Sequence, residues 1–290
     1  MNVQGESGGG ETLFKQLNQE PRGSIQLSVV IPAYNEAGRI RRTLEATIGY
    51  LENSADTYEI LVVDDGSSDD TATVAADTAQ NAKSRRGTTR VLRYPANRGK
   101  GYAVRYGVLR ATGAEILYMD ADLATPIEEI EKLRAAMAGT AGADVALGSR
   151  PLSASQLLVR QPWYRELAGR GFNAVVQLVA TPGIHDTQCG FKLLTADAAR
   201  QIFSRARLDG FSFDVEVVFL ARRLGYRTVE VPVRWAHQEG AAAFATTGAY
   251  VRHGLAMVAD LTRIRLTHQG VRSLRSEART KSASSYHPPA

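Results

Sequence analysis

Two aspartates that flank one small residue, Asp120-Ala121-Asp122, directly follow the apolar run Glu115–Met119. Two negative charges so close together are costly unless a cation or a proton neutralises them. Carboxylate oxygens suit Mg²⁺ or Mn²⁺, ions that commonly bind one or two carboxylates together with substrate phosphates. We therefore predict that Asp120 and Asp122 hold a metal ion against a diphosphate. The alternative is that they cap a helix that begins near Pro126.

Three further polar motifs follow, or lie just past, runs that are typical of strands. They are Pro32-Ala33-Tyr34-Asn35-Glu36, Asp64-Asp65-Gly66-Ser67-Ser68-Asp69 and Asn97-Arg98-Gly99-Lys100-Gly101. Ligands of open α/β sheets bind outside the carboxyl ends of the strands. Any one of these motifs is equally typical of a turn. Four of them at the same strand end instead predict one shared site.

Individual side chains in these motifs suit the parts of a nucleotide. Asp64 and Asp65 can accept hydrogen bonds from ribose hydroxyls or from a base N–H. Lys100 opens a helix whose backbone N–H groups can meet an anion, although a solvated loop explains this motif equally well. Arg150 follows the fifth predicted strand and can grip a phosphate with two hydrogen bonds, the alternative being a surface ion pair. In nicotinamide-binding folds a G-x-G-x-x-G motif follows the first strand. This chain has no such motif there, which disfavours a nicotinamide cofactor.

The elements that must position these side chains alternate regularly through the first half of the chain. We predict strands over 27–31, 59–63, 90–93, 115–119 and 143–147, and helices over 36–52, 69–82, 101–111 and 127–138. Later predictions are helices over 162–180, 213–224 and 248–266 and a strand over 227–233. Short buried strands that alternate with helices predict an α/β fold with a mostly parallel, Rossmann-like sheet and helices on both faces.

Composition narrows the possible partners. The 35 basic and 30 acidic residues give a net charge of +5, which suits an anionic partner. The sequence contains no basic stripe with interleaved aromatics, the pattern that would indicate binding to nucleic acid. The single cysteine, Cys189, fits a reducing compartment and is expected to be a packed small residue instead of a nucleophile. We find neither a leader peptide nor an apolar window of about 20 residues, so membrane contact is expected to be peripheral.

The four motifs, together with Gly148-Ser149-Arg150 and Asp186-Thr187-Gln188-Cys189-Gly190-Phe191-Lys192, resemble those of family 2 glycosyltransferases. More narrowly, the chain is similar over residues 26–240 to dolichyl- or polyprenyl-phosphate sugar synthases of the glucosyltransferase type. The resemblance implies a GT-A fold, an inverting mechanism and a UDP-sugar donor, UDP-glucose or another UDP-hexose. It also implies a polyprenyl phosphate acceptor and Mg²⁺ or Mn²⁺ as the cofactor.

The resemblance also assigns roles to residues. The predicted nucleotide-sugar site comprises Pro32, Ala33, Tyr34, Glu36, Asp64, Asp65, Lys100, Asp120, Ala121 and Asp122. The predicted catalytic residues are Asp122, Arg150, Asp186 and Gln188. Arg150 is expected near the donor or acceptor phosphates, and Asp186 and Gln188 near the sugar and the acceptor. A lipid phosphate is largely dianionic at pH 7 and needs little help from a base, so Asp186 is expected either to act as a base or to orient the substrates.

Two departures from the family pattern affect these expectations. Related glucosyltransferases carry a serine and a lysine where this chain has Ala241 and Ala242. A second basic contact to phosphate would then come from Arg234, His237 or Arg252. Ala124 stands where the mannose-type pattern has glutamine, which favours a glucose-type donor.

The expected organisation is a disordered tail over 1–24, a catalytic domain over 25–240, an amphipathic helical segment over 241–269 and a mobile tail over 270–290. The aromatic and arginine side chains of 162–180 suit a membrane surface, and a core-facing helix explains them equally well. The expected location is the cytoplasm, with peripheral contact at the inner face of the cell membrane. Two other functions stay open. One is a soluble family 2 enzyme with a small-molecule, polysaccharide or protein acceptor. The other is a non-catalytic sugar-nucleotide-binding module.

Overall fold

The computed structural model describes residues 25–54, 56–139, 142–152, 155–159, 181–236 and 259–271. The predicted tails and the segment 162–180 lie outside these residues. Of the helix predicted over 248–266, the described part is helical over 259–267.

Strands and helices alternate as far as the fifth strand. The strands are β1 Leu27–Ala33, β2 Tyr58–Asp64, β3 Gly87–Arg93, β4 Glu115–Met119, β5 Val145–Ser149, β6 Gln156–Val159, β7 Phe191–Thr195, β8 Thr228–Pro232 and β9 Arg234–Ala236. The helices are α1 Ile40–Asn53, α2 Thr71–Asn81, α3 Lys100–Val108, α4 Ile130–Ala138, α5 Ala196–Phe203 and α6 Phe213–Leu224, and a 3₁₀ turn Ile127–Glu129 leads into α4.

Seven strands form one sheet in the order β3-β2-β1-β4-β7-β5-β8. Only β7 runs antiparallel to its neighbours, β4 and β5. The mostly parallel sheet predicted from the sequence is therefore confirmed. Strands β6 and β9 pair with each other in a separate two-stranded sheet.

Every residue of β1 and β2 is buried, because helices cover both faces of the sheet. Val30 and Val104 of α3 belong to one core, which also includes residues of α5 and α6. Val29 belongs to the core on the opposite face, together with Leu44 of α1 and Leu133 of α4. Side chains that alternate along a strand thus pack against different helices, and the loops at the strand ends remain accessible.

The start of α1 and the strand β7 are two places where the structure differs from the sequence predictions. Helix α1 begins at Ile40 instead of residue 36, because residues 36–39 form a turn in which Arg39 N donates to Glu36 O. No strand was predicted at β7, where Lys192 interrupts an otherwise apolar run. The structure buries Lys192 completely inside the sheet.

Candidate active site

The loops that follow β1 and β2 are joined by hydrogen bonds. The backbone N–H of Asn35 donates to Ser67 Oγ at 2.9 Å, and Ser68 N donates to Asn35 Oδ1 at 2.9 Å. Asn35 adopts a positive φ of 55°, which turns the loop sharply after the strand. Pro32 and Ala33 end the buried strand, whereas the side chain of Tyr34 is 48% exposed. These contacts hold the two loops together and leave the ring of Tyr34 accessible to a ligand.

Asp65 is buried and accepts four hydrogen bonds from the loop after β3. Its donors are Tyr94 Oη, Asn97 Nδ2, Arg98 N and Gly99 N, at 2.7 to 2.9 Å. Both of its carboxylate oxygens therefore bind protein groups in this structure. A direct role for Asp65 in nucleoside binding stays a prediction.

Asp64 is also buried, and Ser67 N donates to its Oδ1 at 3.0 Å. Arg93 Nε lies 3.0 Å from Asp64 Oδ2 without the alignment of a hydrogen bond, so it supplies charge to an oxygen that lacks a donor among the described residues. Its predicted contact with the nucleotide is likewise untested.

Asp120 continues β4 and forms an ion pair with Lys100, the first residue of α3. Lys100 Nζ lies 2.6 Å from Asp120 Oδ1, and the two side chains are 23% and 34% exposed. Burial alone would lower the pKa of Lys100, but the charges of Asp120 and Asp214 raise it above its ordinary value. The loop after β3 and the end of β4 thus meet through opposite charges.

Asp122 is less well neutralised. Ala124 N donates to its Oδ1 at 2.9 Å. Burial, and then the neighbouring charge of Asp120, raise the pKa of Asp122 above the usual range of an aspartate. Burial likewise raises the pKa of Glu36, although Arg39 donates two hydrogen bonds to it at 2.6 and 2.8 Å. The site therefore has excess negative charge that a cation would relieve.

Asp120 and Asp122 fit a divalent cation in their chemistry. Both offer carboxylate oxygens, and the ammonium of Lys100 already holds one of these oxygens as a cation would. Within the described residues, no three His, Cys, Asp or Glu side chains are arranged to hold a metal ion. The described residues would thus supply these two carboxylates, and phosphate or water would add to the coordination.

A second charged group lies past β5, where Arg150 donates to Asp186. Its Nε and Nη2 bind the two carboxylate oxygens at 2.7 and 2.9 Å, and its backbone N–H adds a third bond at 3.0 Å. Burial would raise the pKa of Asp186, but Arg150 outweighs it and holds the pKa below the usual range. Gln188 N also donates to Asp186, at 3.1 Å.

Sequence reasoning missed the acid that orients this loop. Glu230 on β8 accepts hydrogen bonds from Asp186 N and His185 N, both at 2.8 Å, and from Ser149 Oγ at 2.9 Å. The only sequence signal was its position inside a predicted strand, and that position gave no indication of these partners.

A small depression lies beside Asp120. It is lined by Asp120, Ala124, Thr125, Gly190, Phe191 and Trp235. The guanidinium carbon of Arg150 lies 5.4 Å from the centre of the Trp235 ring, so the ring connects the depression with the Arg150 pair. A Cβ at Gly190 would lie 2.1 Å from Asp120 Oδ2, so this position must be glycine for the carboxylate to keep its place.

A buried lysine, Lys192, follows two residues that line this depression, and its role was also missed. Lys192 Nζ donates to Cys189 O at 2.6 Å and to Asp214, which also accepts a 2.8 Å bond from Tyr118 Oη. The carbonyl contact holds the segment that carries Gln188 and Gly190. The sequence signals were the interruption of the apolar run by Lys192 and its place at the end of the motif Asp186–Lys192.

Two other expectations concern the surroundings of the site. Cys189 is buried, and its burial followed by the charge of Asp186 raises the pKa of the thiol to about 12, which agrees with a packing role. Arg234, one of three candidates for a second phosphate contact, instead binds Glu129 through its Nε at 2.5 Å. His237, Ala241, Ala242 and Arg252 lie outside the described residues.

Comparison with known proteins identifies the class to which this fold and site belong. The family model for glycosyl transferase family 2 matches residues 28–203, and the chain belongs to this family. It is thus a glycosyltransferase, as the motifs at the strand ends predicted.

The curated relatives narrow the similarity. The chain is 39% identical over 224 residues to a dolichyl-phosphate beta-glucosyltransferase of Mus musculus, with 74% of this chain and 68% of the relative covered. It is 38% identical over 236 residues to the enzyme of the same name from Drosophila melanogaster, with 78% and 71% covered. The enzyme of that name from Saccharomyces cerevisiae is 35% identical over 256 residues, with 84% and 75% covered.

Solved structures confirm the GT-A fold. Glucosyl-3-phosphoglycerate synthase of Mycobacterium tuberculosis, crystallised with Mn²⁺, UDP-glucose and phosphoglyceric acid, matches with a TM-score of 0.60 at 19% identity, over 82% of this chain and 79% of that one. Mannosyl-3-phosphoglycerate synthase of Rubrobacter xylanophilus matches with a TM-score of 0.62 at 18% identity, over 86% and 77%. Among the described residues, no helix is long and apolar enough to cross a membrane.

Proposed function

We propose that this glycosyltransferase transfers glucose from UDP-glucose to a polyprenyl phosphate of the dolichyl type, with inversion at the anomeric carbon. The observation that carries the proposal is the 35–39% identity to dolichyl-phosphate beta-glucosyltransferases across about three quarters of the chain or more. The acidic pair past the end of β4 supports it, because the leaving group of a nucleotide-sugar is a nucleoside diphosphate, whose charge a cation bound by this pair would neutralise.

The donor binds, in this proposal, against the loops after β1, β2 and β4. Tyr34 offers the exposed ring for the base, and Asp120 and Asp122 would hold Mg²⁺ or Mn²⁺ at the diphosphate. When bound, such an ion neutralises charge on the leaving group. Lys100 stands at the same carboxylate and adds positive charge. Together these groups stabilise the negative charge that develops on UDP as the sugar departs.

The acceptor approaches from the side of Arg150 and Trp235. A phosphate oxygen of the acceptor forms the new bond to C1 of glucose while the bond from C1 to the diphosphate oxygen breaks, and its electron pair leaves with UDP. The attacking phosphate is largely dianionic at pH 7, so no proton must be removed. Asp186 has a lowered pKa and is engaged by Arg150, which favours its role in orienting that arginine over a role as a base.

A polyprenyl acceptor places the enzyme at a membrane surface. We propose peripheral contact from the cytoplasmic side, in keeping with the basic net charge of +5. The segments predicted to reach the lipid, 162–180 and 241–269, lie largely outside the described residues.

A panel of donors and acceptors tests this function. The purified protein is given UDP-glucose, UDP-galactose, UDP-N-acetylgalactosamine or GDP-mannose, with Mg²⁺ or Mn²⁺, and either polyprenyl phosphate or phosphoglyceric acid as the acceptor. We expect transfer from UDP-glucose to the lipid, a β-linked product by NMR and loss of activity in EDTA. Transfer to phosphoglyceric acid alone would indicate the soluble enzyme, and absence of transfer from every donor would indicate a non-catalytic binding module.

A further inference from the structure

The ammonium of Lys100 lies beside a carboxylate oxygen where the metal ion itself is expected. Its ammonium lies 2.6 Å from Asp120 Oδ1, one of the oxygens proposed to bind the cation. The ring centre of Phe213 lies 6.0 Å from Nζ, so one side of the ammonium faces an aromatic ring. If an ammonium and a divalent ion both bound the same carboxylate, the two positive charges would lie close together and repel each other.

The start of α3 is fixed, so Lys100 can adjust only through its side chain. Gly101 N donates to Asp209 O at 2.7 Å, and a Cβ at Gly101 would lie 2.6 Å from Phe213 Cβ. Gly99 has a φ of 99°, and a Cβ there would lie 2.4 Å from Asp209 O. The backbone of Lys100 is thus held on both sides, while its four-carbon stem can swing.

We propose that Lys100 is the resident counter-ion of Asp120 and exchanges partners when the donor binds. This inference rests on the proposed function. Lys100 releases Asp120 to the cation and turns its ammonium to an oxygen of the incoming diphosphate.

The exchange makes the cation and the nucleotide bind cooperatively. Without nucleotide, a cation must displace Lys100 from Asp120, and the ammonium has no diphosphate to receive it. With nucleotide, the same movement ends in a new ion pair. Removal of the Lys100 charge should therefore strengthen binding of the metal alone and weaken binding of the nucleotide.

The test compares Lys100→Met with the wild-type chain in two titrations. Electron paramagnetic resonance of Mn²⁺ without nucleotide should show about tenfold tighter binding in the variant, and calorimetry with UDP at saturating Mn²⁺ about tenfold weaker binding. Lys100→Arg keeps the charge and should stay close to the wild type in both. Lys132→Met is the matched control, because it removes a lysine that is ion-paired with Glu129 at 2.7 Å. Lys100→Gln carries the same expectation if the methionine variant does not fold.

Several results would overturn the proposal. Unchanged or weaker Mn²⁺ binding in Lys100→Met would show that Lys100 does not compete for Asp120. Tighter Mn²⁺ binding with unchanged UDP affinity would refute the movement to the diphosphate, and absence of Mn²⁺ binding to every variant would refute the exchange. If Lys100→Met shows both expected changes in affinity, for Mn²⁺ and for UDP, but the wild type does not transfer glucose, the proposed acceptor or sugar is contradicted. The exchange itself is then still supported.

Discussion

Two pairs of aspartates lie at the same edge of the sheet and have different environments. Asp64 and Asp65, at the end of β2, are buried, and Asp65 receives four hydrogen bonds from the protein. Asp120 and Asp122, past the end of β4, are partly exposed. The polar partners that the described residues supply to them are Lys100 and the N–H of Ala124.

This difference separates carboxylates that build the site from carboxylates that are available to a ligand. A buried acid with a full set of donors stabilises the loop that surrounds it. An acid such as Asp122, whose pKa is raised by burial and by a neighbouring carboxylate, instead lowers stability until a cation arrives. We infer that Asp65 of the β2 pair shapes the pocket and that the β4 pair acts on the donor.

The largest expected effect follows from neutralising the β4 pair. Asp122→Asn should lower glucose transfer by about a thousandfold, because the diphosphate loses the charge that stabilises its departure. Steady-state kinetics with UDP-glucose and polyprenyl phosphate measure this loss, and circular dichroism checks the fold. Transfer within a factor of three of the wild type would remove Asp122 from the site.

The corresponding change in the β2 pair should act on folding. Asp65→Ala leaves four donors without their acceptor and should lower the free energy of unfolding by roughly 3 kcal/mol. Urea unfolding measures it. Tyr94→Phe removes one of these donors and should lower the free energy of unfolding by roughly 1 kcal/mol. Equal stability of Asp65→Ala and the wild type would contradict a structural role.

The acceptor side extends the comparison, because there Arg150 binds both carboxylate oxygens of Asp186, whereas Lys100 pairs with one oxygen of Asp120. Arg150→Met should raise the KM for polyprenyl phosphate about twentyfold through loss of a charged contact. The KM for UDP-glucose should change much less. A rise confined to the KM for UDP-glucose would place Arg150 at the donor phosphates.

Gly190 tests how closely the position of Asp120 is fixed. Gly190→Ala should lower the turnover number about tenfold, because the new Cβ forces the Asp120 carboxylate to rotate. Gly49→Ala, inside α1 with open space around it, is the control and should leave turnover unchanged. Normal turnover in Gly190→Ala would show that Asp120 tolerates displacement.

The smallest effect is on stability and depends on pH. The folded-state pKa of Asp122 is raised above its ordinary 3.8, so its ionised form lowers stability. That cost appears as the pH rises above 3.8 and is complete above the folded-state pKa. Without metal at pH 7, urea unfolding should therefore give Asp122→Asn a free energy of unfolding that is higher than that of the wild type by up to about 1 kcal/mol. This difference in free energy should disappear towards pH 4. A difference that widens on acidification would contradict the assignment.

The sequence predicted the parts of the site that depend on local order. Each polar motif follows or lies just past a strand, so the meeting of Asn35 with Ser67 follows from the parallel pairing of β1 and β2. Strands β3 and β4 are not neighbours, and Lys100 reaches Asp120 from the start of α3. Contacts between distant segments could not be predicted in this way. Arg150 suggested a phosphate ligand, whereas its partner in the structure is Asp186. The buried Lys192 concealed β7, because a charge inside an apolar run indicates a surface position unless its partner, here Asp214, is known.

The most direct test of the contrast between the two pairs is Mn²⁺ coordination in the presence of saturating UDP. Electron paramagnetic resonance would compare the wild type with Asp122→Asn and Asp65→Asn, each checked for folding. The account predicts that protein-bound Mn²⁺ is lost in Asp122→Asn and retained in Asp65→Asn. Retention in Asp122→Asn, or loss in a folded Asp65→Asn, would contradict the distinction between the acids that act on the donor and those that build its pocket.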